Sequence, residues 1–221
     1  MLAGEAVIAI WNGIAPEARE AFYEWHNNEH MPERVGIPGF RRGRRFIATA
    51  PDTHPEFFTL YETDTMEVVK GQGYANRLND PTPATKTTTD QFRNTARALA
   101  RVLESAGPGI GGAMLTIRFA ADTDNVGGLR MLTRRLIGPH ICGAHLCRAD
   151  LDASGIRTAE SRGRSDIEIP PAWFLMIEAT GTDALEHCAP DSELTTAGAQ
   201  GPFQRGLYRL EYLRTKTAFA Q

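Results

Sequence analysis

An internal match between the two halves of the chain is the feature that most constrains its fold. Residues 37–43 (IPGFRRG) can be laid over residues 137–143 (IGPHICG) at an offset of 100 residues. Residues 57–63 (FFTLYET) match residues 173–179 (WFLMIEA) at an offset of 116 residues. The offset changes across a polar stretch, residues 152–171, where a surface loop would tolerate an insertion. The match therefore predicts a duplicated unit.

Each half shows the same order of predicted elements. Apolar periodicity and β propensity predict strands over residues 6–11, 40–50, 57–63, 113–119, 141–151, 173–180 and 207–215. Helical spacing predicts helices over residues 16–34, 65–78, 125–136 and 182–188. Residues 90–105 have a composition typical of a helix. The duplication nevertheless requires a fourth strand near residues 95–105, and we predict a strand there.

Two βαββαβ units follow from this order. Each is the ferredoxin-like arrangement, an antiparallel sheet with helices on one face only, so that its other face must be covered. We therefore predict an α+β fold of two tandem ferredoxin-like repeats, residues 1–108 and 109–221. Their sheets would pack face to face as a barrel with the helices outside. The barrel interior is then the expected place for a ligand.

Charge and composition argue against several classes of protein. The net charge of -3 and the pI of about 6.1 differ from the strongly basic character of most nucleic-acid-binding domains. The apolar runs are far shorter than the ~20 residues of a membrane span, and the amino-terminal residues do not resemble a secretory signal. Cys142, Cys147 and Cys188 suggest no disulfide framework. We expect a cytoplasmic protein with no nucleic-acid or membrane partner.

The segment from Trp25 to Arg34 (WHNNEHMPER) carries the strongest chemical signal. On a helix, His26 and His30 lie one above the other. Imidazole near its usual pKa of ~6.5 can give or take a proton at neutral pH, and Arg34 could hold an anionic or carbonyl group. The opposing interpretation is structural: His30 packs at the helix end under the Pro32 turn, and His26 lies on the surface.

A metal site is a weaker interpretation of the same segment. His26, Glu29 and His30 match a His-x-x-Glu-His zinc-peptidase pattern, and two histidines at this spacing can bind zinc. No later helix clearly supplies a third carboxylate ligand, and Pro32 is expected to limit the helix directly after the pair. We therefore expect no metal and no cofactor.

Charged residues in the predicted strands form a second set of candidates. Alternation places Arg42 and Arg44 on one face of their strand and Arg41 and Arg45 on the other. One pair could face a cavity, but we favour an exposed edge strand whose charges prevent aggregation. His145 aligns with Arg45 in the repeat and could occupy an equivalent place.

Acidic residues are expected to have mainly structural roles. Glu62 and Glu178 align in the two halves, each after an apolar run, and a salt bridge is the favoured explanation for both. Within the polar stretch, Glu160 and Arg162 could form part of a lid over a ligand.

Residues 25–34, with the Pro-Gly-Phe turn at residues 38–40 and Arg-Arg-Phe at residues 44–46, resemble the EthD-like members of the dimeric α+β barrel superfamily. Residues 143–146 and 158–160 resemble the partner repeat of its tandem members. The resemblance implies paired ferredoxin-like sheets, often assembled as dimers. It also implies a range of activities, from cofactor-free monooxygenases on aromatic polyketides to cyclases, isomerases and haem enzymes, with His30 as a polar group facing the cleft.

These observations predict a small-molecule enzyme, without metal or cofactor, that acts on an apolar carbonyl or phenolic compound. In this hypothesis His30 is the catalytic acid or base, Arg34 holds an anion and His26 supports them. The candidate substrate-binding residues are Tyr23, Trp25, Arg45 and His145. Two alternatives stay open, a non-catalytic ligand-binding or assembly module of the same fold and a haem-binding member. The expected partners are a small apolar organic ligand and a second copy of the chain.

Overall fold

A computed structural model describes residues 1–122, 126–162, 164 and 166–217. The strands are β1 (Ala6–Ile14), β2 (Phe40–Ala48), β3 (Phe57–Thr63), β4 (Phe92–Ala106), β5 (Ala113–Ala121), β6 (Ile141–Ala149), β7 (Ile167–Glu168), β8 (Trp173–Ala179) and β9 (Ala199–Thr215). The α-helices are α1 (Arg19–Trp25), α2 (Met31–Gly36), α3 (Met66–Lys70), α4 (Gln72–Asn79), α5 (Pro83–Thr89), α6 (Gly127–Arg135), α7 (Leu151–Gly155) and α8 (Asp191–Thr196). A 3-10 turn (Pro16–Ala18) precedes α1, and a π-helix (His26–His30) connects α1 to α2.

Eight of the strands close into one antiparallel barrel. The first half contributes the order β4-β1-β3-β2 and the second half the order β9-β5-β8-β6, which is the same arrangement in each. β2 pairs with β9 and β4 pairs with β6, so the two sheets share both of their edges. The two-residue β7 adds to β4 in parallel. The predicted fold class, an α+β barrel of two tandem ferredoxin-like units, is confirmed.

The strand that only the duplication requires, near residues 95–105, is confirmed as β4. It pairs with β1 along one edge and with β6 along the other. Its equivalent in the second half, β9, pairs in the same way with β5 and β2. Backbone pairing on both edges outweighs the helix propensity of the alanine, leucine and arginine residues in this segment.

Two of the four predicted helices differ from the structure. The helix over residues 65–78 is divided at Gly71, whose backbone is extended (φ -77°, ψ 161°). The prediction of a helix over residues 182–188 is wrong, because this segment forms turns and α8 begins only after Pro190. Pro190 cannot donate the backbone hydrogen bond that a continuous helix would need. The helix predicted over residues 125–136 is observed as α6, and its predicted start at Asn125 lies outside the described residues.

Apolar side chains fill the barrel interior. A buried cluster there contains Trp11, Phe46, Phe58, Phe174 and Tyr208. The ring centroid of Trp11 lies 5.1 Å from that of Phe58 and 5.5 Å from that of Phe174. An eight-stranded barrel is just wide enough for its own side chains to fill. The expectation of a ligand inside the barrel is therefore wrong, and the interior is a core.

A buried ion cluster also lies inside the barrel. Arg44 donates to both carboxylate oxygens of Glu178, at 2.7 and 3.0 Å, and contacts Glu62 at 3.0 Å. The salt bridges expected for the two glutamates are confirmed. The predicted alternation is also correct, since Arg42 contacts Glu62 whereas Arg45 lies on the helix side. The expected exposed edge strand is wrong, because β2 lies between β3 and β9.

Candidate functional site

A cavity lies between the outer face of the first sheet and the helices that cover it. Its floor belongs to neighbouring strands, with Thr59 opposite Ile10 and Ile10 opposite Arg97. Trp25 and His30 belong to its roof, and the polar stretch after α7 closes one side. The cavity volume is about 100 Å³, of the same order as an engineered cavity of about 150 Å³ that holds benzene. One aromatic ring therefore fits.

The roof histidines are positioned by an irregular helix. His26 and His30 bound the π-helix, and α2 continues directly from it. Pro32 lacks the backbone N–H that would bond to the carbonyl group of Asn28 in a regular α-helix. π-Helical turns occur at such interruptions and are frequent at functional sites. Pro32 was expected to limit the helix, but it lies inside the continuing segment.

The roof can approach the sheet because residue 43 is glycine. A Cβ atom at Gly43 would lie 2.1 Å from Sδ of Met31 and 3.0 Å from the ring of Tyr61. Met31 is fully buried and directly follows His30 in the chain. The glycine thus lets Met31, the residue after His30, pack closely against β2.

His30 packs against two aromatic rings in the roof. Its ring centroid lies 4.3 Å from that of Trp25 and 5.6 Å from that of His26. Its Nδ1 atom is buried and has no hydrogen-bond partner among the described residues. Burial, followed by the positive charge of Arg34, lowers the pKa of His30 well below its usual value of 6.5. The ring is therefore neutral at pH 7 and can accept a proton.

His26 is held in one tautomer by Arg45. Nη1 of Arg45 lies 3.0 Å from Nδ1 of His26, and because a guanidinium group only donates, Nδ1 must be the acceptor. The proton of the neutral ring is thus on Nε2. Burial, followed by the charge of Arg45, lowers the pKa of His26 well below 6.5. His26 is 3% exposed, so the interpretation that it lies on the surface is wrong.

Tyr61 lines the cavity from β3 and is missed by the sequence-based prediction. Its ring centroid lies 6.4 Å from that of His30. Its hydroxyl group is buried with no hydrogen-bond partner in the described part of the chain. Burial raises the pKa of Tyr61 above its usual value of 10.0, so the hydroxyl stays protonated. The sequence did contain one signal for Tyr61, which lies on the same face of its strand as Thr59 and Thr63. A buried phenol usually needs a polar partner, so a tyrosine in such a strand is a candidate for contact with a polar ligand.

Arg34 lies behind the cavity wall and does not line the cavity. Its side chain is 2% exposed, and its guanidinium group contacts the carboxylates of Glu33, at 3.2 Å, and Glu160. Burial alone would lower the pKa of Arg34, but the charge of Glu160 raises it above its usual value. Glu160 itself lines the cavity. Arg34 therefore attaches the polar stretch to the roof.

Three further predicted site residues also lie away from the cavity lining. Tyr23 donates to Glu211 at 3.0 Å, and Arg45 donates to the same carboxylate at 3.1 Å, so both support the roof from behind. His145 lies in the barrel interior, where its Nε2 atom is 3.1 Å from Glu178. The predicted residues that the cavity does bring together are Trp25, His26 and His30.

The described part of the chain offers neither a cluster of metal ligands nor a membrane-spanning helix. There, no group of three or more histidine, cysteine, aspartate or glutamate side chains is placed to hold a metal ion. No helix in the described part of the chain is long and apolar enough to cross a bilayer. The thiols of Cys142, Cys147 and Cys188 are free.

No protein-family model and no curated protein matches the chain. Solved structures match over nearly its whole length. A protein described as anthrone oxidase-like has 12% sequence identity and a TM-score of 0.63, and the match covers 95% of this chain and 92% of that protein. Candidate monooxygenases from Fusobacterium nucleatum and Lactobacillus acidophilus have 10% and 11% identity, each with a TM-score of 0.56. These matches cover 97% and 96% of this chain, and 96% of each of those proteins.

The chain has the fold of the ferredoxin-like α+β barrel proteins. At sequence identities of 10–12%, these structures show the fold alone.

Proposed function

We propose that the cavity is an active site in which His30 removes a proton from an aromatic ketone or a phenol. One observation carries the proposal: a buried, neutral imidazole with an unpartnered nitrogen among the described residues lines a cavity that fits one aromatic ring. A general base must be unprotonated at the working pH, and the lowered pKa keeps His30 in that form. Trp25 and Phe92 offer apolar faces to the ring.

Tyr61 would supply the hydrogen-bond donor that stabilises the deprotonated ligand. When the C–H or O–H bond breaks, the proton passes to His30 and the electron pair stays on the ligand, so that negative charge develops on the ligand oxygen. The Tyr61 hydroxyl stays protonated because burial raises its pKa, and it would donate a hydrogen bond to that oxygen. His26 supports the His30 ring, and Arg45 holds His26 in place.

The names of the fold neighbours agree with an aromatic substrate. One is described as anthrone oxidase-like and two as candidate monooxygenases. An anthrone is an aromatic ketone whose methylene protons are acidified by the carbonyl group and by both flanking rings. Removal of one such proton suits a neutral imidazole. Anthrone has three fused rings, so the rings that do not fit in the cavity of about 100 Å³ beside His30 would extend past Arg97, Ile156 and Thr158 into the adjoining space. We extend this chemistry to the present chain as a proposal, together with the EthD-like relationship of residues 25–46.

Two other functions have less support. A haem protein would need space for a whole porphyrin beside its iron ligand. The cavity beside His30 has a volume of about 100 Å³, below the ~300–1,000 Å³ of pockets for drug-sized ligands, and the adjoining cavity of about 470 Å³ is lined by neither His26 nor His30. A non-catalytic binding module would use the same cavity but would perform no proton transfer dependent on His30.

A homodimer is part of the proposal. It would have to form through an outer surface, because the eight barrel strands already close within one chain. Light scattering measures the mass in solution, and a monomer mass would contradict the dimer.

Deuterium exchange into the methylene group of anthrone tests the proposed reaction. In D₂O the wild-type protein should accelerate the exchange, and His30→Gln should lower the protein-dependent rate by ~10²–10⁴-fold. His187→Gln replaces an exposed histidine and should keep the wild-type rate. Tyr61→Phe should lower the rate but retain anthrone binding, measured by quenching of tryptophan fluorescence. Equal exchange rates for His30→Gln and wild type would contradict the proposal.

A further inference from the structure

A second cavity adjoins the first and has no role in the proposed proton transfer. Its volume is about 470 Å³, and it lies between α4, α7 and β4. Its apolar lining includes Val69, Ala75, Leu78, Leu99 and Ala153. Arg97, Ile156 and Thr158 line both cavities. Because Arg97 and Leu99 share one face of β4, the second cavity follows the first along this strand.

Arg97 carries an unneutralised charge at the junction of the two cavities. No carboxylate among the described residues lies within 4.0 Å of its guanidinium group. It donates a hydrogen bond to the carbonyl oxygen of Ile156 at 3.5 Å, its charge acts on the hydroxyl group of Tyr74, and its side chain is half-buried. The junction is therefore partly buried and positively charged.

The neighbouring charges do not cancel that of Arg97. Three ion pairs flank the cavities, namely Arg34 with Glu160, Arg164 with Asp166, and Lys70 with Asp150. Glu160 also acts electrostatically on Arg97, but it is already shared with Arg34. Two exposed side chains add one charge of each sign, Arg157 in the lining of the first cavity and Asp152 in that of the second. Asp152 lies more than 4.0 Å from the guanidinium group of Arg97.

We infer that Arg97 binds a carboxylate group of the substrate, whose rings extend from the first cavity into the second. The inference rests on the proposed function for the ring that lies beside His30. A guanidinium group can form two parallel hydrogen bonds with a carboxylate, and a partly buried cation without an acidic partner gains from such a ligand. Arg34, which the sequence suggests as the anion holder, is already occupied by Glu33 and Glu160. The substrate class is an aromatic acid of at least two rings that carries a phenol or ketone.

The charge requirement is tested with 4′-hydroxybiphenyl-2-carboxylic acid and its methyl ester, by isothermal titration calorimetry at pH 7. The wild-type protein should bind the acid at least about tenfold more tightly than the ester. Arg97→Gln should remove this preference by weakening acid binding while ester binding stays unchanged. Arg97→Lys, which keeps the charge but not the two-point geometry, should retain part of the preference. A wild-type protein that binds both equally, or an Arg97→Gln variant that still prefers the acid, would overturn the inference.

The role of the second cavity is tested with Ala75→Phe, which places a ring into it from α4. This variant should weaken binding of the biphenyl acid by about tenfold and leave binding of the one-ring 4-hydroxybenzoic acid unchanged. An unchanged affinity for the biphenyl acid would remove the second cavity from the substrate site.

The outcome at Arg97 can be separated from that of the proposed reaction. His30→Gln should still prefer the acid over the ester, because Arg97 is intact. If His30→Gln leaves deuterium exchange unchanged but Arg97→Gln removes the preference, the binding inference stands and the proposed reaction fails. The reverse pattern overturns the binding inference alone.

Discussion

Arg44 and Glu178 form a two-point ion pair that joins the two halves of the chain inside the barrel. Arg44 belongs to β2 and Glu178 to β8, and their two N–O distances are 2.7 and 3.0 Å. Both side chains are fully buried, and the same guanidinium group also contacts Glu62. Because water is excluded there, neither charge has an alternative partner in solvent.

Loss of this cation should strongly destabilise the protein. Arg44→Met should lower the free energy of unfolding by about 3–5 kcal/mol, because it removes the cation from the buried carboxylate of Glu178, which keeps only the neutral partner His145, while Glu62 keeps Arg42. Chemical denaturation followed by tryptophan fluorescence measures the change. Arg135→Met is the control, since Arg135 and Glu193 are 70% and 45% exposed and their ion pair should contribute little. Similar losses in the two variants would contradict the assigned role of Arg44.

Glu178 should make the fold sensitive to acid. Burial alone would raise the pKa of Glu178, but the hydrogen bond from His145 and the charge of Arg44 hold it far below its ordinary value of 4.5. Because the folded state has the lower pKa, this stabilisation is present above the unfolded pKa and decreases as the pH falls below it. Glu178→Gln should be less stable than wild type at neutral pH and should lose less stability between about pH 5 and pH 3. Thermal unfolding across this range is the measurement, and parallel curves would count against the assignment.

Strand register explains one difference between the sequence-based prediction and the structure. The alignment of the two halves pairs His145 with Arg45. In the structure His145 is opposite Met176 and Arg44 is opposite Leu60. Leu60 and Met176 are equivalent in the two halves, at the offset of 116 residues. The residue equivalent to Arg44 is therefore His145, and the true offset between β2 and β6 is 101 residues. β2 and β6 both carry a bulge at equivalent positions. The turns before these strands have the opposite order, Pro-Gly at residues 38–39 and Gly-Pro at residues 138–139, so they could not fix the alignment to one residue. A slip of one residue moves a side chain to the opposite face, so His145 is the counterpart of Arg44 in the barrel interior.

The duplicated order of elements and the two histidines could be predicted because both rest on local patterns. Periodicity and duplication together give the barrel, and the spacing of His26 and His30 places them on one helix face. Tyr61 and Arg97 are absent from the predicted site residues, because a single tyrosine or arginine in a strand is common, and a shared strand face with Thr59 and Thr63 does not by itself single out Tyr61. They reach the site only because β3 and β4 both pair with β1. The filled barrel interior depends on side chains from both sheets, which no local pattern describes.

The contact between Arg45 and His26 predicts a tautomer. In wild-type protein at pH 7, long-range ¹H–¹⁵N correlation spectra should show a neutral His26 with its proton on Nε2, because Arg45 donates to Nδ1. Arg45→Gln should allow both tautomers, since an amide can donate or accept. A wild-type spectrum with the proton on Nδ1 would rule out the arrangement described for the roof.

The close approach of Met31 to Gly43 predicts a steric effect. Gly43→Ala should lower the free energy of unfolding by about 1–3 kcal/mol, because the added methyl group displaces Met31 and the ring of Tyr61. Gly36→Ala is the matched control, because a Cβ atom there meets no described atom within 4 Å. Denaturant unfolding of both variants is the test, and a Gly43→Ala variant as stable as Gly36→Ala would contradict this packing.

The pH dependence of deuterium exchange into anthrone tests the central claim most directly. A base acts in its unprotonated form, and burial, Arg34 and His26 lower the pKa of His30 well below 6.5. The protein-dependent rate should therefore stay constant as the pH falls through 6.5 and decrease only at lower pH. His30→Gln should abolish this acid limb together with most of the rate. An acid limb centred at or above pH 6.5, or one that His30→Gln retains, would contradict the assignment of His30 as the neutral base of this site.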